Sequence, residues 1–99
     1  MLGMEATLHD LRRRAAAGVA MRLPATQLAA EVRAATRPGF PTAYRAQAEA
    51  FARALEKLAA SKKRETRKRD FNEMVSRCLA CHEGFAPKAV GPIRRLPLP

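Results

Sequence analysis

"FNEMVSRCLACHEGF", Phe71 to Phe85, contains both cysteines of the chain and one of its two histidines. Phe71, Met74, Val75, Cys78, Leu79 and His82 recur at three- and four-residue intervals, the spacing of one helix face. Cys78, Cys81 and His82 stand at i, i+3 and i+4, so they point the same way. Such a face can serve a metal knuckle, a redox dithiol or the anchor of a larger group, and the flanking sequence has to decide between them.

Upstream, the pattern is helical everywhere that it is clear. Tyr44, Ala48, Phe51, Leu55 and Leu58 keep 4-3-4-3 spacing over about four turns of 3.6 residues. Met4, Leu8, Leu11 and Ala15 form a similar stripe that Gly18 ends. Pro24 suits the first turn of a second, short helix carrying Leu28, Val32 and Ala35 on one side. "RPGFP", Arg37 to Pro41, breaks the chain. "SKKRETRKRD", Ser61 to Asp70, interrupts the apolar pattern and is expected to be a solvated helix end and turn, with the fourth helix starting near Asp70 and stopping at Gly84 and Pro87. Residues 87–99 hold too many prolines for a helix and are expected to lie extended over the body. The expected fold is all-α, an antiparallel four-helix bundle with a C-terminal extended tail, in a single domain over residues 1–99.

The chain has 99 residues, of which 47% are hydrophobic. Alanine supplies 21 of these, against ten Leu, four Val, four Met, four Phe, one Ile and one Tyr. Alanine favours helix but buries little area. The composition therefore predicts an underfilled core, one that a cofactor or partner would complete. The net charge is +10, which favours an acidic partner and carries no information about fold. No apolar run reaches membrane-spanning length. The opening "MLGMEATLHDL" lacks a basic stretch followed by an apolar one, so a leader is not expected within it, and an exported protein would be represented by its mature part.

Cys78-Leu79-Ala80-Cys81-His82 is a C-x-x-C-H run, which indicates covalent haem attachment. Two thiols one helical turn apart can add to the two vinyl groups of one porphyrin, and the adjacent imidazole can ligate the iron from the proximal side. Its second ring nitrogen is then free to donate to a carbonyl. A zinc site needs four ligands, and the chain offers only His9 in addition. A thioredoxin-like dithiol belongs at a helix start in a βαβ setting, whereas this pair lies near a helix end.

A helical chain with C-x-x-C-H near its C-terminus and an aromatic, Phe85, three residues after the histidine resembles the class II c-type cytochromes, the cytochrome c′ and cytochrome c556 family. The resemblance covers most of the chain as helix order, and "CLACHEGF" is its specific part. The chain departs from the family in having Ala86 where Arg often follows the aromatic (Lys88 is the nearest substitute), in shorter helices, and in a longer tail. The resemblance implies one covalent haem c on Cys78 and Cys81, His82 as proximal axial ligand, and a distal face supplied by the first helix. Met4 there implies a six-coordinate electron carrier, and Leu8 a five-coordinate protein that binds NO or CO. Met1 lies at a fraying terminus, and His9, about 140° from Met4 at 100° per residue, should face solvent. Met74 lies on the wrong side of the ring. The pocket walls implied are Leu8, Leu11, Phe51, Leu55, Met74, Leu79 and Phe85.

"KKRETRKR", Lys62 to Arg69, packs six positive charges into eight residues, and Arg12 to Arg14 and Arg94-Arg95 form two further clusters. The expectation is a solvated surface that can dock an acidic redox partner protein, with encounter screened by salt. Nucleic-acid binding is not expected, since no aromatics interleave with the basic run. No catalytic set is found: there are no paired carboxylates on a face, no Ser-His-Asp set and no Gly-rich phosphate loop. The sequence thus predicts a non-enzymatic, periplasmic haem protein that carries one electron. A homodimer through the first two helices, which occurs in the family, is left open. The non-haem alternative is a basic helical interaction module with incidental cysteines.

Overall fold

Alanine, leucine and arginine, the strongest helix formers, dominate the chain, and its few glycines and prolines fall between the apolar stripes. In the computed structural model, the backbone is described over residues 2–36, 39–85 and 90–99, and the side chains over 6–36, 39–84 and 90–99. Five helices occur among these residues, and no strand: α1 Leu2–Ala17, α2 Arg22–Ala35, α3 Thr42–Ala60, α4 Arg64–Phe85 and α5 Val90–Arg94. None of them is long and apolar enough to cross a membrane.

Helix α2 lies against α3, and α3 against α4; α1 touches α4 and α2, and α5 rests on α4. The stripes expected on α1, α3 and α4 face inwards. Leu8, Leu11 and Ala15 are buried on α1, Ala48, Phe51, Leu55 and Leu58 on α3, and Phe71, Met74, Val75 and Cys78 on α4. Ala25 and Ala29 of α2 and Ala48 and Ala52 of α3 are also buried, and their small side chains let the two helices approach closely. Leu11, Leu55, Leu58, Phe71 and Met74 are fully enclosed in one continuous cluster. Close alanine contacts draw the helices together, and Ile93, Leu96 and Leu98 from the tail add apolar bulk.

Two boundaries and one stripe residue differ from expectation. α4 begins at Arg64 rather than near Asp70, because Arg and Lys are good helix formers and need no apolar face in the first turns. The 87–99 tail contains α5, and Pro92 is accommodated because the first residues of a helix have no intrahelical use for their N–H groups. α2 starts at Arg22 with Pro24 in its first turn, as expected, but Ala35, expected on the apolar side, is exposed at its last position, where Thr36 caps the helix through its N–H and its hydroxyl, 2.8 Å from the Val32 carbonyl.

Helix α1 ends at Gly18, whose φ of 72° is a left-handed conformation suited to glycine. Gly18 N–H donates to Ala15 and Val19 N–H to Arg14, a Schellman closure. Arginines then bind this terminus. Arg64 donates to Ala16 O at 3.3 Å, Arg67 to Gly18 O, and Arg14 to Ala20 O at 3.3 Å. Between α2 and α3, Arg33 reaches both Glu49 and Glu56, with contacts from 2.8 to 3.1 Å.

The tail is held by its backbone. Asn72 of α4 donates from Nδ2 to Leu98 O at 2.9 Å and accepts from Leu98 N–H at 2.7 Å. Arg12 of α1 donates to Leu96 O at 2.8 Å. Asn72→Ala removes both tail bonds and should lower the unfolding free energy in urea by about 1–3 kcal/mol. The amide of Leu98 should then lose its protection from hydrogen exchange while those of α3 keep theirs; undiminished protection at Leu98 would show that Asn72 does not hold the tail.

The Arg33 pairs give a pH signature. Hydrogen bonds from Arg33 hold the Glu49 and Glu56 carboxyls below the ordinary value of 4.5. A carboxyl that is more acidic folded than unfolded stabilises the fold above the unfolded value and loses that contribution as pH falls through the folded one. The stability gap between the native chain and Arg33→Gln should therefore be full above pH 4.5, close as acid is added, and narrow with salt because the pairs are exposed. A gap independent of pH, measured by urea unfolding across the acid range, would rule out the ion pairs as its source.

Candidate functional site

The inner stripe of α4 does not stop at the core. Phe71, Met74, Val75 and Cys78 are buried, and the same face continues through Leu79, Cys81 and His82, all half-buried. Both cysteines are free thiols. The site thus lies where the hydrophobic core opens to the surface, near the C-terminal end of a 22-residue helix. The helix fixes the spacing of the three side chains without help from a loop.

Burial controls the chemistry of the thiols. Desolvation, followed by the nearby Cys81, pushes Cys78 up to about 11, and burial also raises Cys81. The negative end of the α4 macrodipole disfavours thiolate as well. A redox dithiol needs the reverse, an electropositive setting that stabilises thiolate, so the setting argues against the dithiol reading. Among the described residues no three His, Cys, Asp or Glu side chains gather as a metal site, so a zinc knuckle finds no ligand set there. A haem iron needs only one or two protein ligands, and that finding leaves it untouched.

His82 carries the most telling detail. Its Nδ1 is buried and has no hydrogen-bond partner among the described residues. A neutral imidazole has one donor and one acceptor nitrogen, and a buried one without a partner costs stability unless some group uses the ring. Two thiols at i and i+3, an imidazole at i+4 and an incompletely satisfied ring fit the requirements of covalent haem attachment.

The other expected residues divide clearly. Leu8 and Leu11 of α1, Phe51 and Leu55 of α3 and Met74 of α4 belong to the same core cluster as Cys78, with Leu79 packed at its edge. His9 is exposed, as its helical angle requires. The side chains of Met4 and Phe85 lie outside the described residues, as do Met1, Ala86 and Lys88.

Sequence reasoning missed the structural work of the basic run. Arg64 and Arg67 bind the end of α1, and Arg69 stands 3.5 Å from the buried Asp70, so these charges are not simply a solvated face. Lys57 lies 3.7 Å from Asp70 and donates to Glu73 at 2.8 Å. Asp70 falls one residue before Phe71, and that adjacency to the stripe was its only signal in the sequence.

No family model, curated protein or solved structure matches this chain.

The burial difference between the thiols is measurable. In the folded, haem-free protein at about pH 8, iodoacetamide should modify Cys78 several-fold more slowly than Cys81, because only thiolate reacts and Cys78 is the more buried. Urea should abolish the difference. Equal rates in the folded state would contradict the burial of Cys78.

Proposed function

We propose that this chain is a monohaem c-type cytochrome that carries one electron between periplasmic proteins, built as an antiparallel four-helix bundle with a C-terminal strap. The observation that carries this reading is the C-x-x-C-H run on one face of α4, with the Nδ1 of His82 buried and unpartnered. Cys78 and Cys81 would hold haem c through two thioether links, and His82 would ligate the iron. Each thiol adds across a vinyl group, sulfur bonding to one carbon and the thiol hydrogen ending on the other, so attachment needs no oxidant. Both thiols stay protonated at neutral pH, the form that supplies this hydrogen.

A covalently held haem supplies an iron that gains and loses one electron. The residues of the chain do the rest. His82 would hold the iron through one ring nitrogen, and its second nitrogen would tune the basicity of that ligand through whatever accepts its proton. The apolar cluster of Leu8, Leu11, Phe51, Leu55 and Met74 excludes water from the inner side, which tunes the potential through local dielectric. Met4, one turn before Leu8, would provide the distal sulfur.

An acidic redox partner would dock beside the cysteines rather than at the basic run. Lys62–Arg69 begins α4, and Arg67 is 14 positions from Cys81, about 20 Å along the helix at 1.5 Å per residue. Arg94 lies 3.5 Å from Glu83, the residue after His82, and Arg77 is exposed one position before Cys78. These are the cations placed to steer an encounter that must end near His82.

The second reading, a five-coordinate haem that binds NO or CO, draws on Leu8, a buried apolar side chain on the α1 stripe. Absorption spectra of the oxidised and reduced protein separate the two. The first predicts a low-spin covalent haem with a sulfur-to-iron charge-transfer band that Met4→Ala abolishes. A high-spin spectrum that shifts with CO establishes the second instead. If the protein matured with a haem-attachment system carries no covalent haem, both readings fail.

A further inference from the structure

At the far end of α4 from the cysteines, a cleft of about 540 Å³ opens where the start of α2, the end of α3 and the start of α4 converge. Arg22, Lys62 and Arg67 line it. Among the described residues, Arg22 and Lys62 make no ion pair, and both are exposed. Arg67 is fixed by donating from Nε to Ser61 O at 3.2 Å and from Nη1 to Gly18 O. The one carboxylate on the wall, Glu56, is already bound through both oxygens by Arg33.

Ser61 also lines this cleft, and its hydroxyl oxygen is buried without a hydrogen-bond partner among the described residues. A turn about χ1 would bring it to a bound oxyanion, giving it the partner it lacks. The start of α2 has no side-chain cap, and the hydroxyl-bearing Thr26 of that helix completes the polar side. Ala20, Ala59 and Ala60 form an apolar floor. Three cations, a hydroxyl without a partner and a small apolar surface together suit a dianionic head carrying a short organic body, and the volume lies in the small-molecule range.

We infer that this cleft is a binding site for a small phosphomonoester, with the phosphate held by Arg22, Lys62 and Arg67 and its organic part resting on Ala20, Ala59 and Ala60. Arg67 is about 20 Å along α4 from the cysteine pair, so the site is separate from the one proposed for haem. Occupancy would join α2, α3 and α4 at one end and should raise the thermal midpoint of the whole chain.

The test is an amide NMR titration of the full chain with inorganic phosphate and with glycerol 3-phosphate, against chloride at equal ionic strength. The expected result is saturable movement of the Ser61, Lys62 and Arg67 amides, with glycerol 3-phosphate binding more tightly. Arg22→Ala and Lys62→Ala should each weaken binding by about tenfold, the loss of one charge-assisted contact. Ser61→Ala should weaken it less. Lys68→Ala, which removes a charge from the same run but outside the cleft, should leave the affinity unchanged. An equal loss in Lys68→Ala would reduce the effect to diffuse charge and overturn the site, as would a titration that does not saturate. Sedimentation with phosphatidylcholine vesicles containing phosphatidic acid distinguishes the source: binding to vesicles with no response to the soluble esters assigns the face to a membrane surface and also overturns it. None of these readouts involves Cys78, Cys81 or His82, so the outcome is independent of the haem proposal.

Discussion

Phe71, Met74, Val75 and Cys78 are sealed along one face of α4, and α1, α3 and α5 all pack against that helix. The remaining helix, α2, is tied in through α3 and α1. The same face continues to Cys81 and His82, so the register that buries Phe71 also orients the thiols and the imidazole. A rotation of α4 by one residue, roughly 100°, would swing the stripe away from its partners and the site with it. Fold and site are therefore one constraint, and the site is as rigid as the core behind it.

Six of the 21 buried apolar residues are alanine, which gain little area each, so closure at those positions depends on close approach and on what locks the helices at that distance. The chain uses arginine for this. Arg33 joins α2 to two turns of α3, and Arg64 and Arg67 fasten the start of α4 to the end of α1. Most of these guanidiniums are exposed, and each pair contributes modestly by itself. Their effect is to fix register between helices whose small side chains would otherwise permit sliding. The tail acts from the opposite direction, carrying Ile93, Leu96 and Leu98 into the core through the two backbone bonds of Asn72.

This division explains what the sequence disclosed. The stripes of α1, α3 and α4 were legible because burial leaves a periodic trace, and Cys78, Cys81 and His82 because helical spacing is geometry that a sequence carries intact. The start of α4 was not legible, because "KKRETRKR" has no apolar period to mark a boundary, and the propensity of Arg and Lys for helix sets none by itself. Ala35 was misplaced because a stripe says nothing of where a partner helix ends. The tail defeated composition, since its prolines argue against helix while Asn72, 26 positions before Leu98, supplies the bonds that hold it. The buried Nδ1 of His82 likewise has no sequence signature, because it depends on what surrounds the ring in three dimensions.

The placement of charge bears on how an electron carrier of this design would discriminate partners. Two of the six cations of "KKRETRKR", Arg64 and Arg67, serve the junction of α1 and α4, and Arg69 faces Asp70, so net charge overstates what is free to steer an encounter. Long-range attraction would come from the whole +10 field, which salt screens beyond about 10 Å at ordinary ionic strength. In the proposed carrier, productive docking would instead be decided at the cysteine end, where Arg77 is exposed one position before Cys78 and Arg94 lies 3.5 Å from Glu83. Attraction would then be spread over the whole molecule, and specificity confined to one end of α4. A change to the basic run would alter how often a partner arrives, whereas a change at Arg77 or Arg94 would alter whether its arrival leads to transfer.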